Sequence, residues 1–257
     1  MRIATWNVNS IRARLDRVLA FLDRSEADVL AIQETKCKEE VFPADAFAEV
    51  GYYSCAAGIS QWNGVAILSR SEPQDVQVSF PNCPTFKDKV EPRAIFATCA
   101  GVRIGSLYVP HGRALDDPHY QYKLDWLARL KDFASAQLES GQDRLALMGD
   151  WNVAPEDKDV WDMEVFKDST HVSAPEREAF AAFSDLGMVE VTRDRAEGYT
   201  YWDYRRLRFP KNEGMRIDWM YATAALDKAV TNVQIDREER KGKGASDHVP
   251  VIVDFDL

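Results

Sequence analysis

One kind of ending recurs along the chain and constrains its fold more than any other feature: short apolar runs stop at an Asn, Asp, Glu, Tyr or His. Ile3-Ala4-Thr5 runs into Trp6-Asn7, Val29-Leu30-Ala31-Ile32 into Gln33-Glu34, and Leu145 to Met148 into Gly149-Asp150-Trp151-Asn152. Ile217-Asp218-Trp219 and Ser246-Asp247-His248-Val249-Pro250 complete the set. Rigid strands carry the residues at their ends to one rim of a sheet, where a site can be built from segments distant in sequence. A rim collecting carboxylates, Asn amides and a His suits hard-cation chemistry on phosphate.

Strand-like runs rich in Val, Ile and aromatics fall near 27–33, 63–69, 94–100, 102–109, 145–149, 217–222 and 249–255. Apolar residues at Ile11, Leu15, Val18, Leu19 and Leu22 recur at helical spacing after Asn9-Ser10. A second helical pattern covers about 119 to 138. A third starts at the capping box Ser173-Ala174-Pro175-Glu176 and closes at Leu186-Gly187. No Pro/Gly/Ser-rich linker interrupts the 257 residues, so one domain over 1–257 is expected, and 46% hydrophobic content suffices for a sizeable core. Trp-Asn-Val occurs at 6–8 and again at 151–153, each time after an apolar run, which two similar sheet halves facing each other would explain.

The N-terminus turns polar at Asn7, too soon for a signal peptide, and no apolar stretch approaches membrane-spanning length. Cys37, Cys55, Cys83 and Cys99 show no C-x-x-C spacing, so neither a zinc cluster nor a disulfide framework is indicated. The expected setting is the reducing cytoplasm. Net charge is −10, which opposes a polyanionic partner if read globally. Basic residues nevertheless cluster at Arg12, Arg14 and Arg17, at Arg205 to Lys211, and at Arg237 to Lys243. Each cluster is either a solvated face or part of a nucleic-acid groove. The second has Tyr199, Tyr201, Trp202 and Tyr204 beside it, a mixture of flat faces and phosphate-binding forks that favours the groove.

Each polar ending has two readings. Glu34 is either a solvated strand terminus or a magnesium ligand. Asp150 and Asn152 are one residue apart and share a face of an extended backbone. They form either an Asx turn or a pair in which Asp150 takes a proton from water and the Asn152 amide donates to charge developing on phosphate. Trp151 between them argues against a plain exposed turn. His248 is either exposed or a phosphate contact whose tautomer Asp218 fixes; Asp218 sits in an apolar run, where an unpaired carboxylate is costly. Pro250 gives the last strand an edge or strand-start position. The chain has no G-x-x-x-x-G-K-S/T loop, no G-x-G-x-x-G, no G-x-S-x-G and no H-E-x-x-H, so nucleotide triphosphatases, dinucleotide enzymes and serine hydrolases drop away.

The segments Trp6-Asn7-Val8-Asn9-Ser10, Gln33-Glu34-Thr35-Lys36, Asn63-Gly64-Val65-Ala66-Ile67, Gly149-Asp150-Trp151-Asn152, Arg216-Ile217-Asp218 and Ser246-Asp247-His248 match in order and spacing over essentially the whole chain. Together they resemble the exonuclease III family of DNA repair nucleases. The resemblance implies an α/β fold, a four-layer α/β/β/α sandwich of two mixed β-sheets flanked by helices. It also implies a cytoplasmic, monomeric enzyme of base excision repair acting on double-stranded DNA at 3′ ends and abasic sites. The implied activities are 3′-to-5′ exonuclease, removal of 3′ blocking groups as 3′-phosphodiesterase and 3′-phosphatase, and abasic-site incision, with Mg²⁺ or Mn²⁺.

Carried over by position, the resemblance implies that Glu34 holds the principal metal with Asn7 beside it. Asp150 activates water, Asn152 helps stabilise the transition state, and Tyr108 contacts phosphate. His248 binds the scissile phosphate, oriented by Asp218. Asp150, Asn152, Asp247 and His248 also fall in the implied metal set, Asp247 behind the residues that touch the ion. Lys36, His111, Arg113, His171, Tyr201, Trp202 and Met215 would face DNA. Family members often carry Phe at 201 and Trp or Leu at 215, an amide at 111, and Gly or Ser at 171 where abasic-site activity is strong. His171 would either narrow the pocket for an extruded nucleotide, favouring end processing, or pack against its helix start. Two alternatives remain: a phosphodiesterase on a non-DNA ester such as a phosphoinositide or sphingolipid, for which no membrane-facing amphipathic segment is visible, and a silent DNA-binding module, which would lack site residues that are all present.

Overall fold

The apolar runs become strands buried on both faces, and this explains why they read as continuous rather than alternating. In the computed structural model, which describes residues 1–257, the strands are β1 (Arg2–Asn7), β2 (Val29–Gln33), β3 (Tyr53–Ala57), β4 (Val65–Ser69), β5 (Gln74–Val78), β6 (Ala94–Cys99), β7 (Val102–Tyr108), β8 (Leu145–Asp150), β9 (Met188–Glu190), β10 (Asp218–Thr223), β11 (Val230–Ile235) and β12 (Val251–Phe255). The helices are α1 (Ile11–Ser25), α2 (Ala44–Glu49), α3 (Pro118–Glu139), α4 (Met163–Phe166), α5 (Ala174–Ala181), α6 (Arg208–Lys211) and α7 (Ala224–Ala229). One sheet runs β11-β12-β1-β2-β4-β3 and the other β5-β6-β7-β8-β10-β9.

Four layers result. Ile3, Val29, Ala31 and Ile67 of the first sheet meet Ile95, Ile104, Met148 and Met220 of the second in a shared core. On the outer face of the first sheet, Trp6, Leu30 and Leu68 pack on Val18, Phe21 and Leu22 of α1. On the outer face of the second, Leu107, Leu147 and Trp219 pack on Trp126, Leu127 and Leu130 of α3 and Phe180 of α5. Fully burying each such side chain contributes on the order of 1.5–3 kcal/mol.

Both sheets are mixed in the same way. The parallel pair β1–β2 is joined through α1, and the parallel pair β7–β8 through α3. Every other pairing is antiparallel. Two similar halves therefore exist, but the Trp-Asn-Val echo is not their trace. The matching strand order makes β1 the counterpart of β7 and β2 the counterpart of β8, so Trp6-Asn7 corresponds to Leu107-Tyr108, while Gln33, paired with Asn7, corresponds to Asp150, paired with Tyr108. Shared strand-end chemistry, rather than equivalent position, accounts for the repeated tripeptide.

Two further expectations are adjusted. The helix expected to run from Ser173 to Gly187 ends at Ala181, and a tighter turn over Ser184–Leu186 follows, closed by Gly187 at φ +81°. That break sets Phe183 edge-on against Trp151 at 5.1 Å. Pro250 marks a strand start, not an edge, because β12 lies between β11 and β1.

Candidate active site

The ends of β1, β2, β7 and β8 and the start of β10 meet at one rim, as parallel register through β1–β2 and β7–β8 requires. The turns there are forced. Glu34 (φ +55°), Lys36 (+50°), Asn9 (+45°), Asn152 (+51°), Arg113 (+62°) and His171 (+83°) all hold left-handed backbone, which costs a residue with a Cβ roughly 1–2 kcal/mol. Such a concentration of strain at one rim is the pattern of a functional site. Gly149 permits the approach of β8 to β7: at φ +146°, a Cβ would lie 1.9 Å from the Leu107 carbonyl oxygen. Trp151 is wholly buried and donates through its indole N–H to the Trp219 carbonyl at 3.1 Å, so it anchors the turn that separates Asp150 from Asn152.

Asn7 stands between the two carboxylates. Its Nδ2 donates to Glu34 Oε1 at 2.9 Å and to Asp150 Oδ2 at 3.0 Å, while its Oδ1 accepts the Asn9 N–H at 3.0 Å. Opposite it, His248 Nδ1 donates to Asp218 Oδ2 at 2.8 Å, because a carboxylate can only accept. This fixes the tautomer and turns Nε2 toward Asp150 Oδ2, 3.7 Å away. Asp218 Oδ1 is buried with no hydrogen-bond partner, so the bond from His248 to Oδ2 is the one side-chain hydrogen bond this carboxylate accepts. Glu34 also pairs with Lys36 at 2.6 Å, and Lys36 in turn donates to Asn9 Oδ1 at 2.5 Å. Asn9 Nδ2 donates to Asp247 Oδ1 at 3.0 Å.

Burial and like charge set the protonation states. Burial, then the neighbouring Asp218 and Glu34, push Asp150 up to about 7 against the pull of His248. Burial alone would depress His248, but Asp218 and Asp150 hold it up at about 10, as an imidazolium. Burial would raise Glu34, yet Lys36 and Asn7 outweigh it and keep the carboxylate charged. Tyr108 is raised well above its ordinary value by burial and by Glu34, so it remains a neutral donor; the Arg93 guanidinium lies 4.7 Å over its ring. Single ligand atoms from Glu34, Asp150 and His248 lie within 4.8 Å of one another. The two carboxylates supply the hard oxygen donors a divalent cation needs, and Asn7 presents its N–H₂ to them rather than an oxygen to the centre.

A pocket of about 210 Å³ opens over these groups, lined by Tyr108, Asp150, Asn152, His171, Tyr201 and Met215 among others. Lys36, His111, Asp247 and Glu34 also line it. Asn7 and Asp218 lie behind the wall. Arg113 lines a neighbouring groove with Trp62, Lys87 and Lys89. Trp202 is only 1% exposed and edge-on to Phe209 at 5.1 Å; it borders a larger neighbouring cleft and does not line this pocket. Tyr201 packs on the His248 ring at 4.8 Å, and His171 on the His111 ring at 4.5 Å. A larger cleft of about 780 Å³ holds Arg193 and Arg216, but Arg193 is paired with Asp159 at 2.7 Å and both arginines stack on Trp219. Convergence of titratable groups, not size, distinguishes the smaller pocket.

The sequence missed Asn9, which links Asp247 to Lys36, although it sits two residues from Asn7 in the same segment. It also missed Lys123 and Glu176, a wholly buried ion pair under the pocket. Nothing in sequence spacing signals that pair, because the partners come from α3 and α5.

Residues 4–248 match the profile of the Endonuclease/Exonuclease/phosphatase family. Exodeoxyribonuclease III of Haemophilus influenzae is 27% identical over 99% of this chain and 100% of its own length. The solved 3′ phosphatase NExo from Neisseria, bound to a product DNA hairpin, superposes with a TM-score of 0.95 at 38% identity, covering 100% of both chains. An AP endonuclease from Archaeoglobus fulgidus gives a TM-score of 0.93 at 35% identity, again over 100% of both chains.

Proposed function

The chain belongs to the Endonuclease/Exonuclease/phosphatase family, and on that premise we propose that it is a DNA repair nuclease of the exodeoxyribonuclease III type, acting at 3′ termini and abasic sites of duplex DNA with Mg²⁺ or Mn²⁺. The observation that carries the proposal is the pairing of the Asn7-bridged carboxylates Glu34 and Asp150 with the Asp218–His248 pair across one small pocket. Glu34 would hold the metal, with Asn7 fixing it beside Asp150 and with Asp247 outside them. When bound, the cation neutralises charge on the phosphate oxygens.

The remaining roles follow from protonation. A base is most effective near the working pH, and Asp150 at about 7 is set to take the proton of an attacking water. His248, held protonated, donates from Nε2 to a phosphate oxygen. Asn152 Nδ2 spends one N–H on the Val109 carbonyl at 2.9 Å and has its second N–H for the substrate. The Tyr108 hydroxyl adds a neutral donor. Lys36 and His111 at the pocket, and Arg113 in the adjoining groove, would contact the DNA backbone, and Tyr201 and Met215 would wall the sugar.

One observation favours a narrower reading, in which end processing dominates and abasic-site incision is weak. His171 is buried, strained at φ +83°, and bonded through Nδ1 to the Asn152 carbonyl at 2.6 Å. An imidazole so fixed leaves less room for an extruded nucleotide. Incubation with blunt duplex, abasic-site duplex and 3′-phosphate duplex, each with Mg²⁺ or EDTA, tests both readings. Metal-dependent release of phosphate or nucleotides is expected. Inertness on all three substrates with either Mg²⁺ or Mn²⁺ would overturn the assignment.

A further inference from the structure

Beneath the pocket lies an ion pair that none of these roles uses. Lys123 of α3 and Glu176 of α5 are both wholly buried and joined directly. Burial lowers the Lys123 ammonium and Glu176 opposes it; burial would raise the Glu176 carboxyl, and Lys123 keeps it low. A buried pair of opposite charges stabilises little by itself against an apolar replacement, so its retention asks for a reason.

Its hydrogen bonds supply one. Lys123 Nζ donates to the Asn152 carbonyl at 2.6 Å, and to the His111 carbonyl and Thr170 Oγ1 at 3.4 Å each. Glu176 Oε1 accepts from Thr170 Oγ1 at 2.5 Å and from the His171 N–H at 2.9 Å. Its Oε2 accepts from the Ser173 hydroxyl at 2.5 Å, and that hydroxyl also meets Tyr120 at 2.6 Å. One ion pair thus ties together the three loops that end β7, follow β8 and precede α5. The Asn152 carbonyl takes two donors, Lys123 Nζ and His171 Nδ1, at a residue whose backbone is left-handed. Packing leaves no slack: a Cβ on Gly112 would lie 2.4 Å from Thr170 Oγ1 and 3.3 Å from Lys123 Cδ.

We infer that Lys123, with Glu176 as its counter-ion, is a positioning residue that pins the Asn152 backbone carbonyl and so aims the Asn152 side-chain amide at the scissile phosphate. The inference rests on the nuclease reading above. A displaced donor near the reacting phosphate costs rate far more than binding, since small misplacements of a catalytic group lower turnover by up to about a hundredfold.

The test is a double-mutant cycle on 3′-phosphate duplex DNA with Mg²⁺. Lys123→Met is expected to lower kcat about tenfold with KM changed less than about twofold. In an Asn152→Ala background the same change should lower kcat by less than about twofold, because the amide it aims is gone. Equal losses in both backgrounds, or no loss in the first, overturn the inference, since a merely structural defect multiplies through either way. Where Lys123→Met leaves Glu176 uncompensated and the protein fails to fold, Lys123→Met combined with Glu176→Gln removes both charges and keeps one acceptor oxygen for Thr170 and the His171 N–H. The same pattern is expected of it. A second readout needs no activity: in ¹⁵N-labelled protein the Asn152 side-chain amide signals should shift or broaden in the Lys123 variants. Wild-type inertness on DNA would strike the nuclease reading alone, and unmoved Asn152 signals would strike the positioning role alone.

Discussion

Single residues at the rim do work that their neighbours cannot. Glu34 is kept charged by Lys36 and Asn7 at the place where a cation would sit, so Glu34→Ala should lower the initial Mg²⁺-dependent rate by at least about a hundredfold. A rate within a few-fold of wild type would remove Glu34 from the site. His171 carries substrate choice: His171→Gly should relieve a strained φ of +83° and raise abasic-site incision relative to 3′-phosphate removal on the same gel. No gain would return His171 to a packing role at the start of α5. The polar strand ends were legible because each breaks an apolar run. Lys123 was not, because a Lys within an amphipathic helix reads as solvent-facing until the fold buries it.

At the level of elements, β8 shows how a local exception serves the site. Gly149 lets β8 lie against β7 immediately before Asp150, and the predicted cost of Gly149→Ala is about 1–3 kcal/mol, seen as a lower urea midpoint together with reduced activity. An unchanged midpoint would mean that β7 moves aside freely. The central strands were readable from sequence because both faces are buried. Strands β3, β5, β9 and β11 were not. All four lie at sheet edges, and β5, at Gln74–Val78, is mostly exposed and carries no apolar run. The helix expected through Leu186 stopped early for a tertiary reason, the seating of Phe183 against Trp151, which local spacing cannot express.

Across the whole molecule, net charge misleads and distribution informs. Of the basic clusters, Arg17 is spent on Glu239 and Arg237 lies 4.2 Å over Phe209, while Arg205 and Arg206 remain exposed. Stability should depend on acid in a defined direction. Burial lowers His119 to about 4 and takes His171 well below its ordinary value, whereas both are near 6.5 unfolded. At these two sites the unfolded chain binds more protons between about 4 and 6.5, which outweighs the single proton that the raised Asp150 holds in the folded state, and stability should fall as pH drops through that window. Urea midpoints measured at pH 7 and pH 5 check this, and His119→Gln should flatten the dependence; an equal slope in that variant would assign it elsewhere. No helix is long and apolar enough to cross a membrane. On the proposed mechanism Asp150, raised by burial to about 7 and facing Asn7 and His248, would activate the attacking water. In single-turnover release of phosphate from 3′-phosphate duplex DNA with saturating Mg²⁺, Asp150→Asn should slow the step at least about a hundredfold without weakening duplex binding, and a near-normal rate would remove Asp150 from the role of base.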